Sequence, residues 1–187
     1  MFDLTLSFIG LICFGWLIVI TAVIAWLDTG LSGFFMQKRV GQHGKLFKVF
    51  KLRSMKKVEG VTTTVSTSHD PRITKIGNFW RKSKMDELPQ LINVFLGHMS
   101  FVGPRPDVEG FADKLIGEDR IILSIKPGIT GPASIHYRDE EVILARQKNP
   151  EDYNKNVIWP KKVEINKEYI KNYSLLNDIK YIIKTVL

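Results

Sequence analysis

Cysteine is nearly absent: Cys13 is the only one among 187 residues. A disulfide framework and a cysteine-rich metal centre are therefore excluded, and nothing argues for an oxidising compartment. Histidine is also scarce. His43, His69, His98 and His136 stand at no metal-ligand spacing. His69-Asp70 alone has the look of a metal phosphohydrolase, but no further histidine cluster supports it. Charge is missing from the first 36 residues except at Asp3 and Asp28, and the run Leu4–Leu27 has 24 residues with neither charge nor proline.

What is present follows from that asymmetry. The net charge is +8 and the first 36 residues carry −2, which leaves +10 on the remaining 151. A basic body on an apolar anchor calls for an anionic partner: nucleic acid, phosphorylated small molecules or an acidic leaflet. As a helix, the apolar run would be about 36 Å long, enough to cross a bilayer. A cleaved signal peptide fits poorly, because no Lys or Arg precedes the run and the run is too long. Cations begin just after it, at Lys38, Arg39, Lys45, Lys48, Lys51 and Arg53, which places the body on the cytoplasmic side. Spanning and re-entrant topologies both remain open; Gly10 and Gly15 are the positions where a bend would be easiest.

The body reads as α/β, mostly helical with a small β element. Residues 34–40 and 45–55 read as two strands, or as one strand and an extended arm, with the turn Gly41-Gln-His-Gly44 between them, and residues 58–68 as a loop. Helices are expected over 73–82, 108–123, 140–148 and 153–173. Gly103-Pro-Arg-Pro106 and Lys126-Pro-Gly-Ile-Thr-Gly-Pro132 read as rigid loops. The last stretch, 174–187, is amphipathic: Leu175, Leu176, Ile179, Ile182, Ile183, Val186 and Leu187 fall at helical spacing beside Lys180 and Lys184. Such a helix either packs on the core or lies on the membrane surface.

Asp86-Glu87 is the most informative pair. It sits in Arg81-Lys-Ser-Lys-Met-Asp-Glu-Leu-Pro-Gln90, where Arg81, Lys82 and Lys84 surround two adjacent acids. Cations beside carboxylates lower their pKa and keep them ionised, ready to bind a metal or to act as nucleophiles. Ser83 stands in capping-box spacing to Asp86, and Pro89 is tolerated only in a first turn. A helix is therefore predicted from about 85–87 to Gly97, with the two acids at its N-terminus, a place that suits phosphate.

In chain order, the motifs are Gln37-x-Arg39-x-Gly41, Lys51-Leu-Arg-Ser-Met55, Asp70-x-Arg72-Ile-Thr-x-Ile-Gly77, Asp86-Glu-Leu-Pro-Gln90, Asn93-Val94, Met99-Ser-Phe-Val-Gly-Pro-Arg-Pro106, Lys126-Pro-Gly-Ile-Thr-Gly131 and Tyr169-x-x-Asn172-x-Ser174-x-x-x-Asp178. With these the chain resembles the bacterial sugar transferases, the small monotopic phosphoglycosyl transferases that move a phosphosugar from a nucleotide sugar to a polyprenyl phosphate. The resemblance covers nearly the whole chain. It implies a UDP-sugar donor, an undecaprenyl phosphate acceptor and Mg²⁺, with UMP released. It makes Asp86 the nucleophile that carries the phosphosugar, and Glu87 its neighbour in holding Mg²⁺. Arg81, Arg105 and Arg138 are the expected phosphate clamps, and Arg53 is a weaker candidate. The implied setting is the bacterial inner membrane with the catalytic domain facing the cytoplasm, at the first membrane step of a polysaccharide, O-antigen, capsule or glycoconjugate pathway.

Family members usually break the membrane helix with Ser-Pro; here Gly15-Trp16 stands at that place. His98, Pro132-Ala-Ser134 and His136-Tyr-Arg138 also depart from the usual pattern, in the region expected to face the nucleotide or sugar. The expected division is a membrane helix over 1–28 and a catalytic domain over 29–187 that includes the helix 174–187. Two rival readings stand beside the transferase: a Mg-dependent phosphohydrolase of nucleotide sugars, and a non-catalytic, membrane-anchored anion-binding module. Nucleic acid is not an expected partner, because the aromatic residues do not interleave with the basic ones. The sugar carried and the oligomeric state stay open, a homo-oligomer included.

Overall fold

The computed structural model describes residues 2–186 apart from Thr62, Thr64 and His69, and says nothing of the Val186 side chain. His69 and the last residue of the C-terminal stripe, Leu187, lie outside the described residues. The chain forms two compact units. The first comprises 1–38, 48–63 and 69–99; the second comprises 39–47, 64–68 and 100–187.

Helix α1, Phe2–Thr29, opens the first unit and runs without interruption through Gly15-Trp16. At 28 residues it is about 42 Å long. Leu4, Ile12, Trp16, Val19 and Leu27 are exposed along it, whereas Ser7, Ile18, Thr21, Ala22 and Ala25 are buried. Small residues on the inward stripe let neighbouring backbone come close. A Cβ on Gly33 would lie 1.8 Å from the Ala22 carbonyl oxygen, so the returning chain fits there only as glycine. Strands β1, Phe34–Val40, and β2, Leu46–Leu52, pair into a two-stranded sheet around a 3-10 turn at Gln42–Gly44. Met55 adds an antiparallel bridge to Ile73. Helix α2 is Lys75–Ser83 and helix α3 is Gln90–Phe95. Ala22, Ala25, Leu52 and Trp80 form the core of this unit, with Phe34 and Met85 packed against it.

In the second unit, β3, Ser100–Val102, pairs in parallel with β4, Gly128–Thr130. The short helices α4, Pro132–His136, and α5, Glu140–Ala145, follow. Helix α6, Pro150–Tyr153, leads through a π turn at Asn154–Ile158 into α7, Trp159–Lys171. Pro160 lacks the N–H that a regular ladder would require at that point, and the wider turn precedes it. Helix α8 is Leu175–Val186. Val40, Ala112, Ile122, Leu123 and Val163 make this unit's core.

The helical elements and the sheet of β1 and β2 match the sequence reading in kind, whereas the pairing of β3 with β4 puts a strand into the stretch 126–132 that reads as a rigid loop. The helix expected over 108–123 does not form. Two 3-10 segments, Ala112–Lys114 and Gly117–Leu123, stand there instead. Gly110 at φ 102° and Gly117 at φ 58° adopt left-handed backbone that ends a right-handed helix.

Candidate active site

Asp86 and Glu87 occupy a three-residue 3-10 turn, Met85–Glu87, and not the first turn of an α-helix. The reason lies one residue upstream. Lys84 takes left-handed backbone, φ 58° and ψ 14°, which ends α2 and redirects the chain. Ser83 is therefore no N-cap. It is the last residue of α2, and its hydroxyl donates back to the Phe79 and Trp80 carbonyls at 2.9 and 3.2 Å. The regular helix begins four residues later than Asp86, at Gln90, with Pro89 as its cap. So short a turn builds no appreciable macrodipole, and the helix-terminus argument for phosphate binding falls away.

The pair is held by packing and by one ion pair. Met85 is anchored on the first unit's core, and both acids are buried. Lys51 Nζ, on β2, lies 2.9 Å from Glu87 Oε1. The placement of β2 is fixed by Asn93 of α3, which is fully buried. Its Nδ2 donates to the Lys48 carbonyl at 2.7 Å, and its Oδ1 accepts from the Phe50 N–H at 2.9 Å. One side chain thus serves as a strand partner and sets Lys51 opposite Glu87. Neither Lys51 nor Asn93 was singled out for the site from sequence. Their places inside two of the motifs were the available signal.

Asp86 lacks such a partner. Its Oδ1 is buried and accepts no hydrogen bond. Burial pushes its carboxyl above the ordinary range; the charge of Glu87 pushes the same way, while Lys51, Arg81 and Lys84 pull it down. Arg81 and Lys84 do pull this pKa down, as expected, but the net shift is upward because desolvation is the largest influence. Asp70 has the opposite balance. Arg72 Nη2 lies 2.6 Å from its Oδ2, Arg72 Nε reaches its Oδ1 at 2.9 Å, and the hydrogen-bonded guanidinium holds the Asp70 carboxyl below its ordinary value.

Arg81 acts on both Asp70 and Asp86. The structure therefore brings Asp86, Glu87, Lys51 and Arg81 together within the first unit. Arg53 belongs to the same unit but turns to the chain after α1. Its Nε donates to the Ser32 carbonyl at 2.6 Å, its Nη2 to the Phe34 carbonyl at 3.3 Å, and its guanidinium stacks over Phe35. Arg105 and Arg138 belong to the second unit. Arg105 rides a turn pinned on both sides: Gly103 N–H donates to the Thr130 carbonyl at 2.9 Å, and Gly128 N–H to the Pro104 carbonyl at 2.9 Å. Just beyond, Val40 N–H donates to the Asp107 carbonyl at 2.8 Å. Burial pushes the Asp107 carboxyl up to about 6 against the pull of Lys162, Arg39 and Arg105. Exposed Arg138 donates to the Lys184 carbonyl.

The donor set suits a hard divalent cation that shares its shell with a ligand. Among the described residues, no group of three or more His, Cys, Asp and Glu side chains converges as a closed metal cage. A buried carboxylate oxygen without a hydrogen-bond donor, at Asp86, is the kind of ligand Mg²⁺ takes beside phosphate oxygens.

The family model described as bacterial sugar transferase matches residues 1–187. The chain is 42% identical over 157 residues to the UDP-glucose:undecaprenyl-phosphate glucose-1-phosphate transferase of Escherichia coli K12, covering 81% of this chain and 31% of that protein. It is 34% identical over 186 residues to the uncharacterised sugar transferase EpsL of Bacillus subtilis 168, covering all of this chain and 84% of that one. With the UDP-galactose-lipid carrier transferase of Erwinia amylovora the identity is 35% over 173 residues, 84% of this chain and 33% of the relative. The chain thus spans about a third of the length of the two relatives named for a UDP-sugar, and most of the Bacillus one. Since the match runs through every motif around Asp86 and Arg105 from end to end, the chain belongs to the bacterial sugar transferase family.

Proposed function

We propose that this protein is a phosphoglycosyl transferase that moves a sugar-1-phosphate from a UDP-sugar to undecaprenyl phosphate and releases UMP. The observation that carries the reading is the buried, unpartnered Asp86 Oδ1 beside a Glu87 already neutralised by Lys51. An ionised carboxylate in that position is a competent nucleophile, and its raised pKa reflects a poorly solvated, reactive anion.

In the first step the Asp86 oxygen attacks the β-phosphorus of the donor. The bond from that phosphorus to the bridging oxygen breaks, and UMP leaves with both electrons. In the second step an oxygen of undecaprenyl phosphate attacks the same phosphorus. The acyl phosphate bond breaks, Asp86 is regenerated as a carboxylate, and the polyprenyl diphosphate sugar departs. Arg81 offsets the anionic charge at Asp86, and Arg105 and Arg138 serve as diphosphate clamps. Asp86 and Glu87 would hold Mg²⁺ together with donor phosphate oxygens, and that ion supplies charge neutralisation when bound.

The membrane setting follows the same reading: an inner-membrane enzyme whose catalytic body faces the cytoplasm. Both halves of α1 touch one body. Phe8 stacks on Phe95 at 6.1 Å, and the Gly10 site faces Leu91 of α3, while Ala22 and Ala25 pack with Leu52 and Trp80. A re-entrant hairpin would need a bend that α1 does not show at Gly15-Trp16; the contacts at both halves instead tie the whole helix to the catalytic unit. A tag at residue 1 should be reachable from the cytoplasmic side; access only from the periplasm would overturn this. Helix α8 supports the same setting, because Leu176, Ile179 and Ile183 face outward.

The deciding assay incubates the purified protein with radiolabelled UDP-sugars, Mg²⁺ and undecaprenyl phosphate. Lipid-linked label with stoichiometric UMP is the expected result. Water-soluble sugar phosphate would make the protein a hydrolase, and no turnover of any UDP-sugar would make it a binding module.

A further inference from the structure

Helix α8 docks the wrong way round for a core helix. Asp178 and Thr185 make their hydrogen bonds inward, whereas Leu175, Leu176, Ile179 and Ile183 are exposed together with Lys180 and Lys184. Asp178 is buried and accepts from the Tyr169 hydroxyl at 2.7 Å, whereas Leu176 is 71% exposed and Ile183 51%. Such a helix is held by hydrogen bonds at particular points, and those points have consequences.

Two of them lie in its last turn. Thr185 and Thr130 share a hydroxyl–hydroxyl bond at 2.5 Å, and Thr185 also donates to the Tyr181 carbonyl at 2.8 Å. The bond to Thr130 is therefore accounted for with Thr130 as donor and Thr185 as acceptor. Thr130 is the end of β4, and its carbonyl receives the Gly103 N–H that heads the Pro104-Arg105-Pro106 turn. No side chain fits at Gly103 or Gly131, where a Cβ would lie 2.5 Å from the Lys126 carbonyl oxygen and 2.3 Å from the Gly103 carbonyl oxygen. The path from Thr185 to Arg105 is therefore close-packed backbone that transmits a shift. The second point is the Lys184 carbonyl, one of the last carbonyls of α8, which accepts from Arg138 Nη2. One N–H of the guanidinium is spent on this bond, and it fixes the direction of the rest.

We infer that the last turn of α8 is a positioning element for Arg105 and Arg138, with Thr185 setting the Arg105 turn and the Lys184 carbonyl aiming Arg138 at the donor's diphosphate. The inference rests on the phosphoglycosyl transferase reading for its substrate. The bland alternative is that Arg138 merely caps a helix C-terminus, as cations often do. That alternative leaves the Thr185–Thr130 bond without effect on the donor.

The test is Thr185→Val, which removes the hydroxyl at nearly constant volume, with Thr185→Ser as the conservative variant and Tyr169→Phe as a control that loosens α8 at its other end. In the full-length protein in lipid nanodiscs, Thr185→Val should raise KM for the UDP-sugar about three- to tenfold with kcat nearly unchanged. Thr185→Ser should restore the wild-type KM, and Tyr169→Phe should lower Tm without the same rise. A wild-type KM in Thr185→Val, or an equal rise in Tyr169→Phe, overturns the inference. Absence of transfer by the wild-type protein would instead sink the transferase reading itself, so the two failures are distinguishable.

Discussion

Asp70 and Asp86 both feel the charge of Arg81, yet their environments pull them apart. Asp70 is wrapped by Arg72, which also donates to the Thr63 carbonyl at 2.9 Å. Asp86 is buried with cations near it but no donor on its Oδ1. Proximity of positive charge is the same kind of fact in both places. The largest influence differs: desolvation raises the pKa of buried Asp86, whereas the hydrogen bonds from Arg72 lower that of Asp70. One acid is a structural anchor, and on the proposed reaction the other is the one left for a ligand.

The largest expected effect separates the two by substitution. Asp86→Asn should reduce lipid-linked product by about a thousandfold or more, because a carboxamide cannot form the acyl phosphate. Its melting temperature should hold or rise, since a poorly solvated carboxylate is removed. Asp70→Asn should do the reverse: unfolding costs fall by about 1–3 kcal/mol while turnover stays within a few fold. Measuring both properties on both variants breaks the comparison if Asp86→Asn keeps near-native transfer or if Asp70→Asn alone abolishes it.

Glu87→Gln should come next, with a rate loss of about ten- to a hundredfold and a higher Mg²⁺ concentration for half-maximal activity. An unchanged Mg²⁺ titration would remove Glu87 from the metal site. The smallest expected effect is a displacement along the pH axis. On the proposed mechanism Asp86 must be ionised to attack, and because its pKa is raised the acid limb of kcat/KM should lie above the ordinary carboxylate range of about 4. Lys51→Met removes the strongest cationic pull and should move that limb to higher pH; a limb that stays put would discard the electrostatic role of Lys51. The linkage signs follow. Ionised Asp86 costs stability above its unfolded pKa, and that cost is relieved as pH falls through its raised folded value. Asp70, with a lowered value, stabilises above its unfolded pKa and loses that contribution as pH falls through its folded one.

The sequence made some of this legible and hid the rest for physical reasons. The run from Leu4 to Leu27 could only be a long apolar helix, and β1 was read at its observed bounds, Phe34–Val40. The acidic pair was visible by composition. Its local backbone was not, because the choice of left-handed geometry at a lysine, Lys84, has no signature in residue type. The same holds for ionisation. Listing Arg81, Lys82 and Lys84 around Asp86 counts charges, while burial, the larger influence, depends on Met85 and its core neighbours. For α8, the stripe was legible but its direction was not; that is decided by Asp178 and Thr185 finding partners at Tyr169 and Thr130, far away in sequence.

The contact of Phe8 with Phe95 has a consequence for kinetics. Helix α3 begins four residues after Asp86 and lies against the apolar helix α1. On the proposed reaction, the nucleophile is thereby tied to the depth at which a lipid phosphate already resides. The acceptor need not be lifted out of its layer, and it is sought in a plane and not in a volume. Turnover should then follow the number of acceptor molecules per unit of membrane area. Adding inert lipid at a fixed bulk amount of acceptor should slow the enzyme, whereas diluting the whole suspension with buffer at saturating donor should leave the rate per enzyme unchanged.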